Sequence, residues 1–394
     1  MIEKMEELVL DGIRAGVSVE SDDGLNIKPF DPKKISITKK NIALDVIVRR
    51  MNQGSIRLSP DFQRNTVWSN KQKSLLIESL MLNIPIPLFY VSADEEGNWD
   101  VVDGLQRLTA LREYLIDKTL VLSGLEFWKE YEKTGIEELP PVIYNRIFET
   151  EFTFVIIEPG TPELVKYNVF KRINTGGKPL TPQEIRNALY NGEGTRLLRR
   201  LVNSKAFLDA TGGTINDSRM TAQECVLRYL SFLLVGPSGF YDDDYSDSFL
   251  NRNLQILNKL DEIPDKKNYK LFTDGKNPPI FVDSYDELVG LFEKGLNRNR
   301  ILFGKDAFRL MSIKAKKRTP INRVLLETLG TLFAQLDDES FDSLLAERGG
   351  FLKKFDSLRA RNEFYRAISR DPWIKENVSY RFNELSEIIK GSIR

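Results

Sequence analysis

The sequence predicts an α+β protein, with an α/β N-terminal domain followed by a mostly helical C-terminal one. Three observations carry that expectation. Val101 and Val102 run into Asp103-Gly104 and then directly into helical apolar spacing at Leu105, Leu108 and Leu111, which reads as strand, one-step turn and helix start. Two more runs rich in β-branched and aromatic residues, 88–91 and 152–157, lie in the same half. Beyond about residue 200 such runs become rare, and helical periodicities recur near 221–235, 284–296, 320–337, 339–347 and 375–390.

Residues 1–37 are acidic, with a Gly/Asp-rich stretch at Ser21–Gly24, and read as a partly ordered leader. Leu44–Met51 has helical spacing, Pro60–Trp68 reads as a loop, and Ser69 with Gln72 forms a capping box opening the next helix. Ile84–Pro87 stops that helix. Leu88–Val91 and Trp99–Val102 then read as strands joined by the turn Glu95–Asn98. The stretch from Pro141 to Phe148 looks helical, and Phe152–Ile157 is a third strand. Thr161-Pro162 reads as an N-cap with proline at the first helical position, opening a helix to about Arg172. Arg172–Thr181 is a glycine-hinged loop, and Thr181 with Glu184 is a second capping box whose helix ends at Asn191-Gly192. The expected domains are 38–200 and 201–394, with loops such as Tyr241–Asp247 between the later helices.

With 394 residues, 41% hydrophobic and 29% charged, the chain has the composition of an ordinary globular protein. Lys+Arg and Asp+Glu are both 57, so any electrostatic attraction to nucleic acid must be local. The single cysteine, Cys225, excludes an intramolecular disulfide and a Cys-rich zinc site, and its helical surroundings mark it as core. Histidine is absent, which removes Ser–His and Cys–His catalysis, histidine-ligated metals and nucleases with a histidine base. Chemistry is left to carboxylates, Lys, Arg, amides and hydroxyls, with Mg²⁺ the candidate cation. The acidic start does not resemble a signal peptide, and the longest apolar run, Tyr229–Val235, is far too short to span a bilayer. A cytoplasmic protein with no membrane partner is expected.

Asp103–Arg107 is the strongest chemical signal. A glycine there lets backbone or ligand approach closely, the first turn of a helix offers unpaired N–H groups to an anion, and Arg107 adds a planar cationic fork. Asp103 stands where a helix N-cap or a metal-bridging carboxylate would stand. Gln63 and Arg64 form another polar pair before Trp68, and an arginine stacked on that tryptophan is the alternative. Around Gly176-Gly177, Arg172, Asn174 and Lys178 add charge and polarity in a spacing unlike a Walker loop.

Three segments, in order, resemble the GmrSD N-terminal family, which is related to the ParB and sulfiredoxin fold. They are Leu58–Arg64 with Val67-Trp68, Val102–Thr109, and Phe170–Leu180 with Glu184–Asn187. The likeness is strong over 38–192 and weaker through Arg219-Met220, Glu224–Tyr229 and Lys317–Arg323. It implies a ParB/sulfiredoxin-like N-terminal domain and a part in bacterial anti-phage or modification-dependent restriction. It further implies an Asp-Gly-Gln-Gln-Arg motif tied to nucleotide binding and hydrolysis that controls DNA cutting. Leu105 stands in place of that motif's first glutamine and removes one polar group from the expected pocket. Many relatives carry a histidine-dependent nuclease domain; a chain without histidine points instead to a separate nuclease subunit as partner. Sulfiredoxin chemistry is not implied, since the loop holds no cysteine.

For a bound nucleoside triphosphate, Arg107 would pair with phosphate oxygens and the backbone of Gly104 to Gln106 would donate N–H groups. Gln106 would orient a water, while Asp103 would hold Mg²⁺ or accept that water's proton. Thr109 either faces the pocket or is a helix-surface hydroxyl, and Gln63, Arg64, Arg172, Asn174 and Lys178 are further candidate ligands. In the helical half, 294–323 holds ten basic residues and one acid, Asp306. Lys314, Lys316, Lys317, Arg318 and Arg323 are the candidate DNA contacts; a solvated face, or one docked on Tyr241–Asp247, is the alternative. The function expected is an NTP-hydrolysing component of a restriction system that acts on or senses DNA. A non-enzymatic ParB-like DNA-binding or modification-sensing module and a Mg²⁺-dependent DNA nickase are the alternatives, and homo-oligomer formation stays open.

Overall fold

Five strands of the N-terminal half form one mixed sheet: β1 (Ile37–Ala43), β2 (Ile56–Arg57), β3 (Phe89–Ala93), β4 (Trp99–Asp103) and β5 (Glu151–Ile157), in the order β1-β5-β3-β4-β2. β1 with β5 and β3 with β4 are antiparallel, whereas β3 with β5 and β2 with β4 are parallel. The structure is a computed structural model that describes residues 17–18, 36–58, 68–173, 180–272, 274–310 and 319–393, without the side chains of 163, 164, 172 and 173. These fall into two compact units, one within Lys28–Leu189 and the other within Tyr190–Arg394 together with Val17 and Ser18. The expected α+β class is observed.

The sheet unit carries helices α1 (Leu44–Asn52), α2 (Asn70–Met81), α3 (Leu105–Leu115), α4 (Pro141–Glu149), α5 (Glu163–Ile173) and α6 (Pro182–Leu189). Strand alternation sorts the core onto two faces. Phe89, Phe152, Phe154 and Trp99 stack on one, with ring centroids 5.0–5.4 Å apart, beside Arg50 of α1 and Arg107 of α3. Ile157 and Val102 face the other way and pack with Tyr167 and Phe170 of α5 and Ile185 of α6.

Both capping boxes form as expected. Gln72 N donates to Ser69 Oγ while Ser69 N donates to Gln72 Oε1, and Glu184 N and Thr181 N exchange bonds with the opposite side chains in the same way. Thr161-Pro162 does not act as foreseen. The helix begins at Glu163, and the Thr161 hydroxyl donates instead to Glu158 O at 2.9 Å. The α2 helix also departs from a simple amphipathic reading, because Lys73, Ser74 and Glu78 are buried with Leu76, Ile77 and Leu80. The long connection after α3 covers its polar face. Glu78 accepts the N–H groups of Glu126, Phe127 and Trp128 at 2.8–2.9 Å, Ser74 Oγ accepts from Ser123 N, and Lys73 pairs with Glu113 at 2.6 Å.

The other unit is helical: α7 (Glu193–Val202), α8 (Lys205–Thr211), α9 (Thr221–Val235), α10 (Ser246–Asn258), α11 (Tyr285–Phe303), α12 (Arg323–Gln335), α13 (Asp338–Ala346), α14 (Arg348–Arg359), α15 (Asn362–Ser369) and α16 (Lys375–Lys390). The central α9 is buried from Cys225 to Val235, so Cys225 is a core residue as expected. Gly295 of α11 and Gly330 of α12 let those helices approach around Tyr229; a Cβ at Gly295 would lie 2.3 Å from Gly330 O. Five helices (α7, α8, α10, α14 and α15) were not foreseen, and Ser246-Asp247 belongs to α10 rather than to a loop. Gly194 in α7, the asparagines of α10 and Gly349-Gly350 in α14 lower local helix propensity, and tertiary packing overrides it.

Candidate anion-binding site

The strand-to-helix turn after β4 is shaped by one residue. Gly104 sits at φ +98, and a Cβ there would fall 2.3 Å from the Phe89 ring. Glycine is therefore required twice, for backbone sign and for space. Gly104, not Asp103, is the N-cap of α3, and it has no side chain to cap with. Among the described residues no acceptor takes the N–H groups of Leu105, Gln106 and Arg107, so the positive end of α3 is left open. Leu105 itself is 8% exposed and belongs to the core.

Asp103 closes β4, and its carboxylate, half-exposed, accepts from Arg107 Nη2 at 2.9 Å. Arg107 is buried against the ring of Phe89, its guanidinium carbon 4.4 Å from the centroid. Nη2 also donates to Leu88 O at 3.0 Å, and Nη1 donates to Pro87 O. Burial pulls the Arg107 pKa below its ordinary value, and the Asp103 charge opposes that pull. Arg107 thus braces the entry to β3 against the start of α3. A bidentate grip on phosphate would need Asp103 to release it.

Gln106 has a fixed orientation. Its Oε1 accepts the N–H of Trp68 at 3.2 Å, which turns its two amide N–H donors away from Trp68. One turn on, Thr109 shares a helix face with Gln106 and with Glu113, whose partner Lys73 lies on α2. The structure thus brings Asp103, Gly104, Gln106 and Arg107 together, with Thr109 partly buried one turn further along α3. Arg172 lies in the last turn of α5, with its side chain outside the described atoms; Gln63, Arg64, Asn174, Lys178, Lys314, Lys316, Lys317 and Arg318 lie outside the described residues.

Residues 44–191 match the model of the family described as GmrSD restriction endonuclease, N-terminal domain. The resemblance carried by the three motifs is borne out over that segment. Neither the curated proteins nor the solved structures compared with the chain gave a match. Sequence reasoning missed the seat of Arg107, formed by Pro87, Leu88 and Phe89. The adjacency of Phe89 to Gly104 follows from strand pairing, and no local pattern signals it.

In the helical unit several basic residues turn to acceptors within the unit. Arg298 donates to Phe333 O at 2.9 Å and Leu336 O at 2.6 Å, Lys294 to Leu336 O at 2.8 Å, and Arg309 to Thr214 Oγ1 at 3.2 Å. Arg323, a candidate DNA contact, instead pairs with Glu224 at 3.0 Å and donates to Ser18 O. Behind it, buried Glu327 binds Arg228 at 2.7 Å and Arg381 at 2.6 Å. Among the described residues no group of His, Cys, Asp and Glu forms a metal cage, and no helix is long and apolar enough to cross a membrane.

Proposed function

We propose that this protein is a component of a DNA restriction system whose N-terminal unit binds a nucleoside triphosphate at the open start of α3. The observation that carries the reading is the first turn of that helix, uncapped among the described residues. Its N–H groups, the Gln106 amide and the Arg107 charge behind them all favour a polyanion. One oxygen of Asp103 has no partner among the described residues, which suits Mg²⁺ held by one carboxylate together with phosphate oxygens and waters. Bound there, the ion would neutralise phosphate charge as it develops. Gln106 already spends its acceptor on Trp68, so Asp103, where it does not hold the ion, is the group left to take a proton from an attacking water.

Thermal melting with Mg²⁺ and each triphosphate tests this. A ligand at 100 times its Kd would stabilise the protein by about 2.7 kcal/mol. Gln106→Ala is expected to abolish the shift while leaving the unliganded melt nearly unchanged; Asp103→Asn should abolish it too, with a lower unliganded melt because the buried Arg107 loses its counter-charge. Arg107→Ala is a poor probe, because it also strands the Pro87 and Leu88 carbonyls. No shift with any nucleotide would overturn the reading, and phosphate release with and without plasmid decides whether binding leads to hydrolysis.

A further inference from the structure

A second cationic feature lies at the opposite end of β4, about 13 Å from Asp103 at the usual rise along a strand. The last turn of α1 and the β3–β4 turn enclose a groove of about 450 Å³, lined among others by Arg49, Arg50, Gln53, Ser55, Glu96 and Asn98. Arg50 is fixed there. Its Nη2 donates to Gly97 O at 2.6 Å and its guanidinium lies 3.9 Å from the centroid of Trp99, while Nε is enclosed without an acceptor. Arg49 is exposed and has no ion-pair partner among the described residues. The Gln53 amide and the Ser55 hydroxyl are likewise uncommitted. The one acid in the lining, Glu96, accepts from Asn98 Nδ2 at 3.2 Å. Burial, and the neighbouring charge of Arg49, pull the Arg50 pKa below its ordinary value. The groove thus holds two cations against one carboxylate, and Glu96 forms no ion pair with either of them among the described residues.

The Arg50 pair to Gly97 and Trp99 secures the turn, and two basic residues in a final helical turn also suit the helix dipole. Neither role engages Gln53 or Ser55, and neither gives the Arg49 guanidinium a bonded partner among the described residues. We propose that this groove seats the phosphodiester backbone of duplex DNA, with Arg49 and Arg50 as the charged contacts and Gln53 and Ser55 as neutral donors. Backbone phosphates are met mostly by such side chains, which position a protein on DNA without reading its sequence. The groove is open rather than enclosed by its walls, as a continuous polymer requires. The inference rests on the DNA-acting part of the function above and is independent of the nucleotide part.

The test is fluorescence anisotropy of a labelled duplex over a salt series, using the full chain. Arg49→Glu combined with Gln53→Glu changes exposed side chains only. It is expected to weaken binding about tenfold and to lower the log–log salt slope by about one for the lost phosphate contact. Wild type that binds duplex as tightly as the double variant overturns the groove and spares the DNA reading. Wild type that binds no duplex at all overturns both. Inorganic triphosphate that protects wild type against heating, but not the double variant, would show a small-anion site and also overturn the proposal.

Discussion

Two corners of the sheet unit and the interior of the helical unit place cationic side chains differently. In the sheet unit, Arg107 and Arg50 are each pinned by backbone carbonyls and an aromatic ring, yet they lie beside uncommitted donors: the first N–H groups of α3 in one case, Arg49 and Gln53 in the other. In the helical unit, Arg228 and Arg381 close on Glu327 in the interior, and Arg323 closes on Glu224. The first arrangement leaves hydrogen-bond donors open beside a cation, and the second closes its cations on carboxylates. A run of basic residues in a sequence therefore says little about a binding face until the acceptors around each one are known. The segment 294–323 is the instance, since Lys294, Arg298, Arg309 and Arg323 all turn to acceptors within their own unit.

The largest effect should come from the interior cluster. Glu327→Gln would remove the carboxylate that the buried Arg228 and Arg381 share, a change that costs about 3–5 kcal/mol in comparable ion pairs. Urea denaturation should show that loss with nucleotide and duplex binding unchanged in the protein that remains folded; a loss below about 1 kcal/mol would mean the cluster is hydrated and the contrast between units false.

Next comes Gly104→Ala. The left-handed backbone alone costs about 1–3 kcal/mol, and the Cβ clash with Phe89 adds to it. Stability and the nucleotide-dependent shift should fall together, because the same turn aims the helix start; a stable variant that still binds would separate shape from function.

The smallest effect concerns Glu78. Burial would raise its carboxyl, but the backbone N–H groups of Glu126, Trp128 and Phe127 outweigh that and hold it below its ordinary value of 4.5. A depressed folded pKa gives stability that is full above the unfolded value and lost as pH falls through the folded one. Glu78→Gln should cost about 1–3 kcal/mol at neutral pH and flatten the fall in stability below about pH 4.5. An unchanged acid limb would assign the loop's order to other contacts.

Much of the site's outline was legible in the sequence. The strand–turn–helix at 101–111, both capping boxes and the core position of Cys225 follow from local chemistry. Period-two and period-3.6 patterns report which face of an element is apolar, and Ser or Thr followed by Gln or Glu reports where a helix begins. The helices containing Gly194, Gly349 or several asparagines were not legible, because packing rather than propensity forms them.

By itself the sequence determined the fold class, the family likeness and the exclusion of histidine chemistry, since each rests on residue identity and near-neighbour spacing. Only the tertiary structure decided which charges are spent. Arg107 meets Phe89 and Pro87 through strand pairing, Arg323 meets Glu224 across 99 positions of chain, and Glu78 finds its three N–H donors 48–50 residues away. Coulomb attraction and hydrogen bonding act through space, and sequence distance carries no information about which acceptor a long side chain will reach.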